Sequence, residues 1–178
     1  MAFFSGKPKL KVLMVCMGNI CRSPTAEGVL RSKLAQAGLA DLVEVDSAGT
    51  HAFHVGGAPD VRAQKHAQLR GYDLSALRAR EVNERDFEQF DLIVAMDWAN
   101  LSSLDARCPN DPPTQRKLRR LTEFVPAQSP HAGAEVVPDP YYGGPAGFEF
   151  VLDLVESACD GLVEHLSALD KAASAGAG

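Results

Sequence analysis

Five residues separate Cys16 from Arg22 in the segment VLMVCMGNICRSPTAEG, which runs from Val12 to Gly28. An apolar run ends on the cysteine, and Ser23-Pro24 follows the arginine directly. The thiolate of a cysteine is a strong nucleophile, and a helix N-terminus and nearby cations favour that form over the thiol. Gly18 and Asn19 are residue types that accept a left-handed backbone. The main-chain N–H groups of Met17, Gly18, Asn19, Ile20, Cys21 and Arg22 can then converge into an anion cradle. The planar fork of Arg22 can grip a phosphate through two bonds, which a lysine does not reproduce. Ser23 is placed to donate its hydroxyl to the sulfur. These residues fit phosphoryl transfer, in which charge spreads over three equatorial oxygens that amide dipoles and a guanidinium can meet. A cysteine at a strand end is also compatible with a buried small hydrophobe. The coincidence of strand, Cys, Gly-Asn, Arg-Ser-Pro and helix in register favours the chemical reading.

Sulfur attack expels an alkoxide or phenoxide unless an acid protonates it. Asp139, in the segment VPDPYYGG, is the candidate. Pro138 and Pro140 stiffen the chain on either side of it. Tyr141 and Tyr142 can wall a pocket and stack on an aromatic leaving group. The same aspartate would then serve as base for the water that hydrolyses a phosphocysteine. Taken alone, the segment also reads as a proline-rich turn with an exposed acid.

The elements that must position these residues follow from pattern. LKVLMV reads as a strand buried on both faces. A helix follows, with Ser23 at its N-cap, Pro24 at its first position, and Gly38 at its end. LVEVDSAG is a second strand ending near Ser47, and PDVRAQKHAQLRG is a helix stopping at Gly71. NERDFEQF is a short helix capped by Asn83, DLIVAM a third buried strand, and Asp97 the cap of the next helix. Residues 108–114 read as loop with three prolines, KLRRLTEFV as a fourth short strand, and residues 126–147 as a long loop. A loop of that length in a compact domain is usually functional. An amphipathic helix runs from Phe148 to Leu169. Strands alternating with helices give an α/β domain with a parallel sheet, and ligands of such sheets bind at the carboxyl ends of the strands, where Cys16 sits.

The 178 residues suit one domain, read as a flexible N-terminus over 1–8, a catalytic domain over 9–169 and a disordered tail over 170–178. Apolar residues make up 46% and charged residues 23%, an ordinary globular composition. A net charge of −5 disfavours a nucleic-acid or membrane partner. Four scattered cysteines make neither a disulfide scaffold nor a zinc ribbon. The N-terminus carries no signal-peptide pattern and no run reaches membrane length, so the reading is cytoplasmic, with reduced thiols. It leaves the number of subunits open. His51 and His54 could form a metal pair but read better as solvent-facing. The basic cluster from Arg116 to Arg120 reads as a solvated face.

At CMGNICRSP and VPDPYYGG the sequence resembles the low-molecular-weight protein-tyrosine phosphatase family, and VDSAGT and FDLIVAMD fall where that family places its second and third strand ends. The resemblance spans residues 9–169. It implies a single three-layer domain, a four-stranded parallel sheet with helices on both faces. It implies Cys16 as nucleophile, Arg22 as phosphate clamp and Asp139 as acid and then base. Asn19, Ser23 and Ser47 would hold the loop and the thiolate, while Phe53, Tyr141 and Tyr142 would line the cleft. No metal or cofactor is implied. The implied substrate is a phosphotyrosine protein, and the resemblance further implies a reversible disulfide between Cys16 and Cys21. Met17 replaces a leucine common in the family, and no histidine stands near Leu77, where some members use one to support the loop.

Other activities remain compatible with the fold. An arsenate reductase needs a relay of further cysteines, and Cys108 and Cys159 lack the close pairing for it. A protein-arginine phosphatase carries threonine where this chain has Ile20 and lacks the paired tyrosines. A phosphoprotein-binding or redox-sensing module could dispense with Asp139.

Overall fold

The computed structural model describes residues 9–176, so the expected flexible segment 1–8 lies outside the described residues. Four strands form one parallel sheet in the order β2-β1-β3-β4. They are β1 (Leu10–Cys16), β2 (Val43–Gly49), β3 (Leu92–Ala95) and β4 (Leu118–Arg120). Side chains alternate across β1, so its apolar run feeds two cores. Val12, Met14 and Cys16 pack toward helices α1 (Arg22–Gln36) and α6 (Pro145–Ala175). Leu13 and Val15 pack with Phe87, Phe90 and Leu104 on the opposite face, which carries α3 (Glu84–Gln89) and α4 (Trp98–Arg107). The result is the three-layer α/β domain that the sequence implies.

The strand order reverses direction around β1, whose neighbours are β2 and β3. Crossovers leave that switch point on opposite faces, opening a crevice beyond the strand ends. Cys16 closes β1 there, opposite Gly49 of β2.

Caps set several element ends as expected. Asn83 forms a capping box with Asp86 at α3, and Asp97 accepts from Asn100 N–H at the start of α4. Gly38 follows α1 with φ +74°, a left-handed conformation that ends a helix at low cost in glycine. α2 (Val61–Leu69) begins at Asp60, whose carboxylate accepts from Arg62 N–H.

Four expectations are corrected. α1 begins at Arg22, not after Ser23, with Cys21 at the cap position and no side-chain cap bond. Ser23 does not cap because its hydroxyl faces inward to the Cys16 sulfur. Residues 112–115, read as loop, form the short helix α5 (Pro112–Gln115), started by the Asp111 carboxylate on Thr114 N–H. α6 continues past Leu169 to Ala175, so residues 170–175 are helical where a disordered tail was expected. The stretch KAASA has nothing to bury, but alanine and lysine are strong helix formers and extend a helix already nucleated by packing. The fourth strand is shorter than expected, with a 3₁₀ turn (Leu121–Phe124) completing KLRRLTEFV.

Candidate active site

Cys16 is buried at the end of β1, its Sγ 3.0 Å from Ser23 Oγ. The loop after it is held from three sides. Cys16 and Met17 carbonyls accept from Thr50 and His51 N–H at 2.9 and 3.0 Å, and the Ile20 carbonyl accepts from Asp60 N–H at 2.8 Å. Asn19 carries the turn at φ 56°, the left-handed value its type tolerates. Its amide donates to Ser23 Oγ at 2.8 Å and Ser47 Oγ at 3.0 Å, while its carbonyl oxygen accepts from Arg80 N–H at 3.0 Å. Arg80 is braced by a two-bond pair with Asp86 and a further bond to Asp46. This main-chain contact supports Asn19 without any histidine in the segment after Leu74. Among the described residues, the N–H groups of Met17 through Cys21 donate to no backbone acceptor outside the regular elements. That leaves them for an anion.

Ser47 donates its hydroxyl hydrogen bond to Glu27 Oε1 at 2.7 Å, and Glu27 pairs with Arg31 at 2.7 Å. Glu27 is buried in the first turns of α1, and that burial pushes its carboxyl above the ordinary range despite the Ser47 bond and Arg31.

Arg22 is fixed by partners distant in sequence. Its Nη1 donates to Asp97 Oδ2 at 2.6 Å and to the Val137 carbonyl at 3.1 Å, and its Nη2 lies 3.7 Å from Asp139 Oδ2. Val137 is itself tied to the end of β3, its N–H donating to the Met96 carbonyl at 2.7 Å. Asp139 Oδ1 accepts from Tyr141 N–H at 3.0 Å. The acid segment is thus anchored beside the guanidinium, and the structure brings Cys16, Arg22 and Asp139 to one place.

These three residues line a cavity of about 340 Å³ with Met17, Gly18, Ile20, Cys21, Phe53, His54, Tyr141 and Tyr142. Phe53 and Tyr142 stand at the rim, 73% and 96% exposed, so they form walls rather than floor. Asn19 and Ser23, counted with the phosphate loop for substrate binding and for holding the loop and the thiolate, do not line this cavity: their side chains lie buried behind the loop in the supporting role, as does Ser47. His54 was missed as a lining residue, since it and His51 read as solvent-facing loop histidines. Among the described residues no group of three or more His, Cys, Asp or Glu could hold a metal. His51 instead bonds Thr50 and stacks on Phe53 with ring centroids 5.2 Å apart. Burial, then the charges of Asp60, Cys16 and Asp139, push the Cys21 thiol up to about 12, so it stays protonated beside Cys16.

The basic cluster is occupied structurally. Lys117 donates to the Phe87 carbonyl, Arg119 pairs with Glu123, and Arg120 lies over the Trp98 ring at 3.7 Å.

Residues 11–174 match the family model described as low molecular weight phosphotyrosine protein phosphatase. The chain belongs to that family. It is thereby an enzyme, a cysteine-dependent phosphatase for phosphotyrosine in proteins. A putative low molecular weight protein-tyrosine-phosphatase of Synechocystis is 44% identical over 159 residues, which cover 88% of this chain and 96% of that protein. A crystal structure of an Entamoeba histolytica protein tyrosine phosphatase superposes with a TM-score of 0.84 at 38% identity, covering 91% of this chain and 99% of that one. A Drosophila arginine phosphatase superposes with a TM-score of 0.78 at 31% identity, covering 88% and 97% of the two chains.

Proposed function

We propose that Cys16 is the nucleophile, Arg22 the phosphate clamp and Asp139 the proton donor in hydrolysis of phosphotyrosine. The ester phosphate enters the loop, accepting from its free N–H groups and from Arg22. The Cys16 thiolate attacks phosphorus, forming an S–P bond as the bond from phosphorus to the tyrosyl oxygen breaks. Asp139 passes its proton to that oxygen, and tyrosine leaves. The Asp139 carboxylate then takes a proton from a water whose oxygen attacks phosphorus. The S–P bond breaks, releasing inorganic phosphate and returning the sulfur as an anion that the Ser23 hydroxyl stabilises.

The observation that carries this reading is the lining of one cavity by Cys16, Arg22 and Asp139 together with Phe53, Tyr141 and Tyr142. The first three supply displacement, charge stabilisation and proton transfer. The aromatic walls supply a surface for a phenyl leaving group. Ile20 and the paired tyrosines favour phosphotyrosine over phosphoarginine. The natural partner is a protein carrying phosphotyrosine, met in the cytoplasm, where thiols stay reduced. Among the described residues no helix is long and apolar enough to cross a membrane.

The test is turnover on matched peptides bearing phosphotyrosine, phosphoserine or phosphoarginine. The phosphotyrosine peptide should have the highest kcat/KM. A higher value on phosphoarginine would overturn the substrate assignment while leaving the displacement chemistry in place.

A further inference from the structure

The phosphate loop and the acid segment are joined outside the cavity by one pair of residues. Asp60 donates its N–H to the Ile20 carbonyl of the phosphate loop at 2.8 Å. Its carboxylate accepts from Arg62 Nε at 3.0 Å and Nη2 at 2.8 Å, a two-bond pair. The remaining arm of the fork, Nη1, donates to the Tyr141 carbonyl at 3.0 Å. The guanidinium also lies over the Tyr141 ring at 5.3 Å and the Phe148 ring at 4.9 Å. Phe148 is stacked in turn on His66, which bonds Glu149 at 2.6 Å.

Tyr141 is therefore held at both ends of its backbone. Its N–H donates to Asp139 Oδ1, and its carbonyl accepts from Arg62. On the other side of Asp139, Val137 is held by the Met96 carbonyl and by Arg22. The carboxylate sits between two clamps, of which the Arg62 clamp lies outside the cavity lining.

We infer that Arg62, oriented by Asp60, is a positioning residue that sets Asp139 over the bound ester for proton transfer to the leaving oxygen. The inference rests on the reading of Asp139 as proton donor. A half-exposed ion pair contributes little to stability, yet all three arms of this fork are committed to acceptors, which fixes direction rather than adding strength. A lysine has a single nitrogen and cannot reach both Asp60 and Tyr141 in the same geometry. Proton donation matters most when the leaving oxygen is strongly basic. Loss of positioning therefore falls unequally on different esters.

The experiment compares kcat/KM for phenyl phosphate and para-nitrophenyl phosphate in wild type, Arg62→Met, Arg62→Lys, Asp139→Ala and Arg62→Met/Asp139→Ala. A positioned general acid contributes about 10²–10⁴-fold, and displacing it forfeits part of that. Arg62→Met should lower kcat/KM about tenfold or more for phenyl phosphate and much less for para-nitrophenyl phosphate. Inhibition by inorganic phosphate should be unchanged. Arg62→Lys should show the same inequality, and it carries the test if Arg62→Met does not fold. In the Asp139→Ala background, Arg62→Met should cost nothing further. Equal losses on both esters, weakened phosphate inhibition, or additive losses in the double variant would overturn the role of Arg62. If Asp139→Ala itself shows no inequality between the esters, the proton-donor reading fails first. If Asp139→Ala shows it and neither Arg62 variant does, the positioning inference alone fails.

Discussion

One carboxylate joins Arg22 to the start of α4: Asp97 Oδ2 accepts from Arg22 Nη1 at 2.6 Å, while Oδ1 accepts from Asn100 N–H at 2.7 Å. The arginine side chain is only 4% exposed. A buried guanidinium needs such a partner, because leaving it unpaired costs more than the pair itself contributes. The bond also fixes which way the fork faces. Asp97 is thereby a helix cap and an orienting partner in one.

Asp97→Asn separates the two roles, since asparagine caps helices about as well as aspartate. A hydrogen bond to a charged group contributes about 1.5–3 kcal/mol. If that bond is what orients the clamp, kcat/KM for para-nitrophenyl phosphate should fall about ten- to a hundredfold. The denaturation midpoint should fall less for Asp97→Asn than for Asp97→Ala, which also loses the cap, worth about 1 kcal/mol. Wild-type kcat/KM in Asp97→Asn would show that Arg22 is oriented by other contacts.

Glu27 makes stability depend on pH in a direction opposite to that of most carboxylates. Burial raises its folded pKa above the unfolded value, so the folded state binds its proton more tightly. Its relative stabilisation is complete below the unfolded value of about 4.3. It is lost as pH rises through the raised folded value. Urea titrations across that range should show a component falling with pH in wild type, absent in Glu27→Gln. The same slope in both proteins would contradict the assignment.

Gly161 faces the chain segment that leads out of the 3₁₀ turn, and a Cβ there would stand 1.8 Å from the Phe124 carbonyl oxygen. The obstacle is backbone, which cannot swing aside as a side chain can. Overpacking of this kind costs about 1–3 kcal/mol, more than alanine gains over glycine inside a helix. Gly161→Ala should therefore lower the thermal midpoint, with kcat/KM retained at temperatures where the variant is folded. A raised midpoint would mean that α6 and the Phe124 segment separate easily.

Much of the site was legible because its signals are local. Cys16, Gly18, Asn19 and Arg22 fall within one turn of chain, and the left-handed preference of Asn19 marks the bend in the sequence itself. Asp139 was legible through its prolines and tyrosines. The cap at Asp97 was legible, but its bond to Arg22 was not, because the partner lies 75 residues away and chain patterns carry no such distance. The Asp60–Arg62 pair escaped notice for the same reason: its role depends on Ile20 and Tyr141 arriving on either side of it. Ser23 was read in two roles, because Ser-Pro is a helix-start signature and the hydroxyl lies near the sulfur in the chain; the contact with the sulfur is present, and the cap is not. The helical extension to Ala175 was misjudged by weighing burial over intrinsic propensity.

The most direct measurement traps the reaction midway. Enzyme turning over para-nitrophenyl phosphate is quenched in acid, digested and examined by mass spectrometry for phosphate held on a cysteine. The account predicts phosphocysteine on the peptide containing Cys16, and neither that adduct nor turnover in Cys16→Ser. Turnover persisting in Cys16→Ser, or phosphate carried by a different residue, would contradict it.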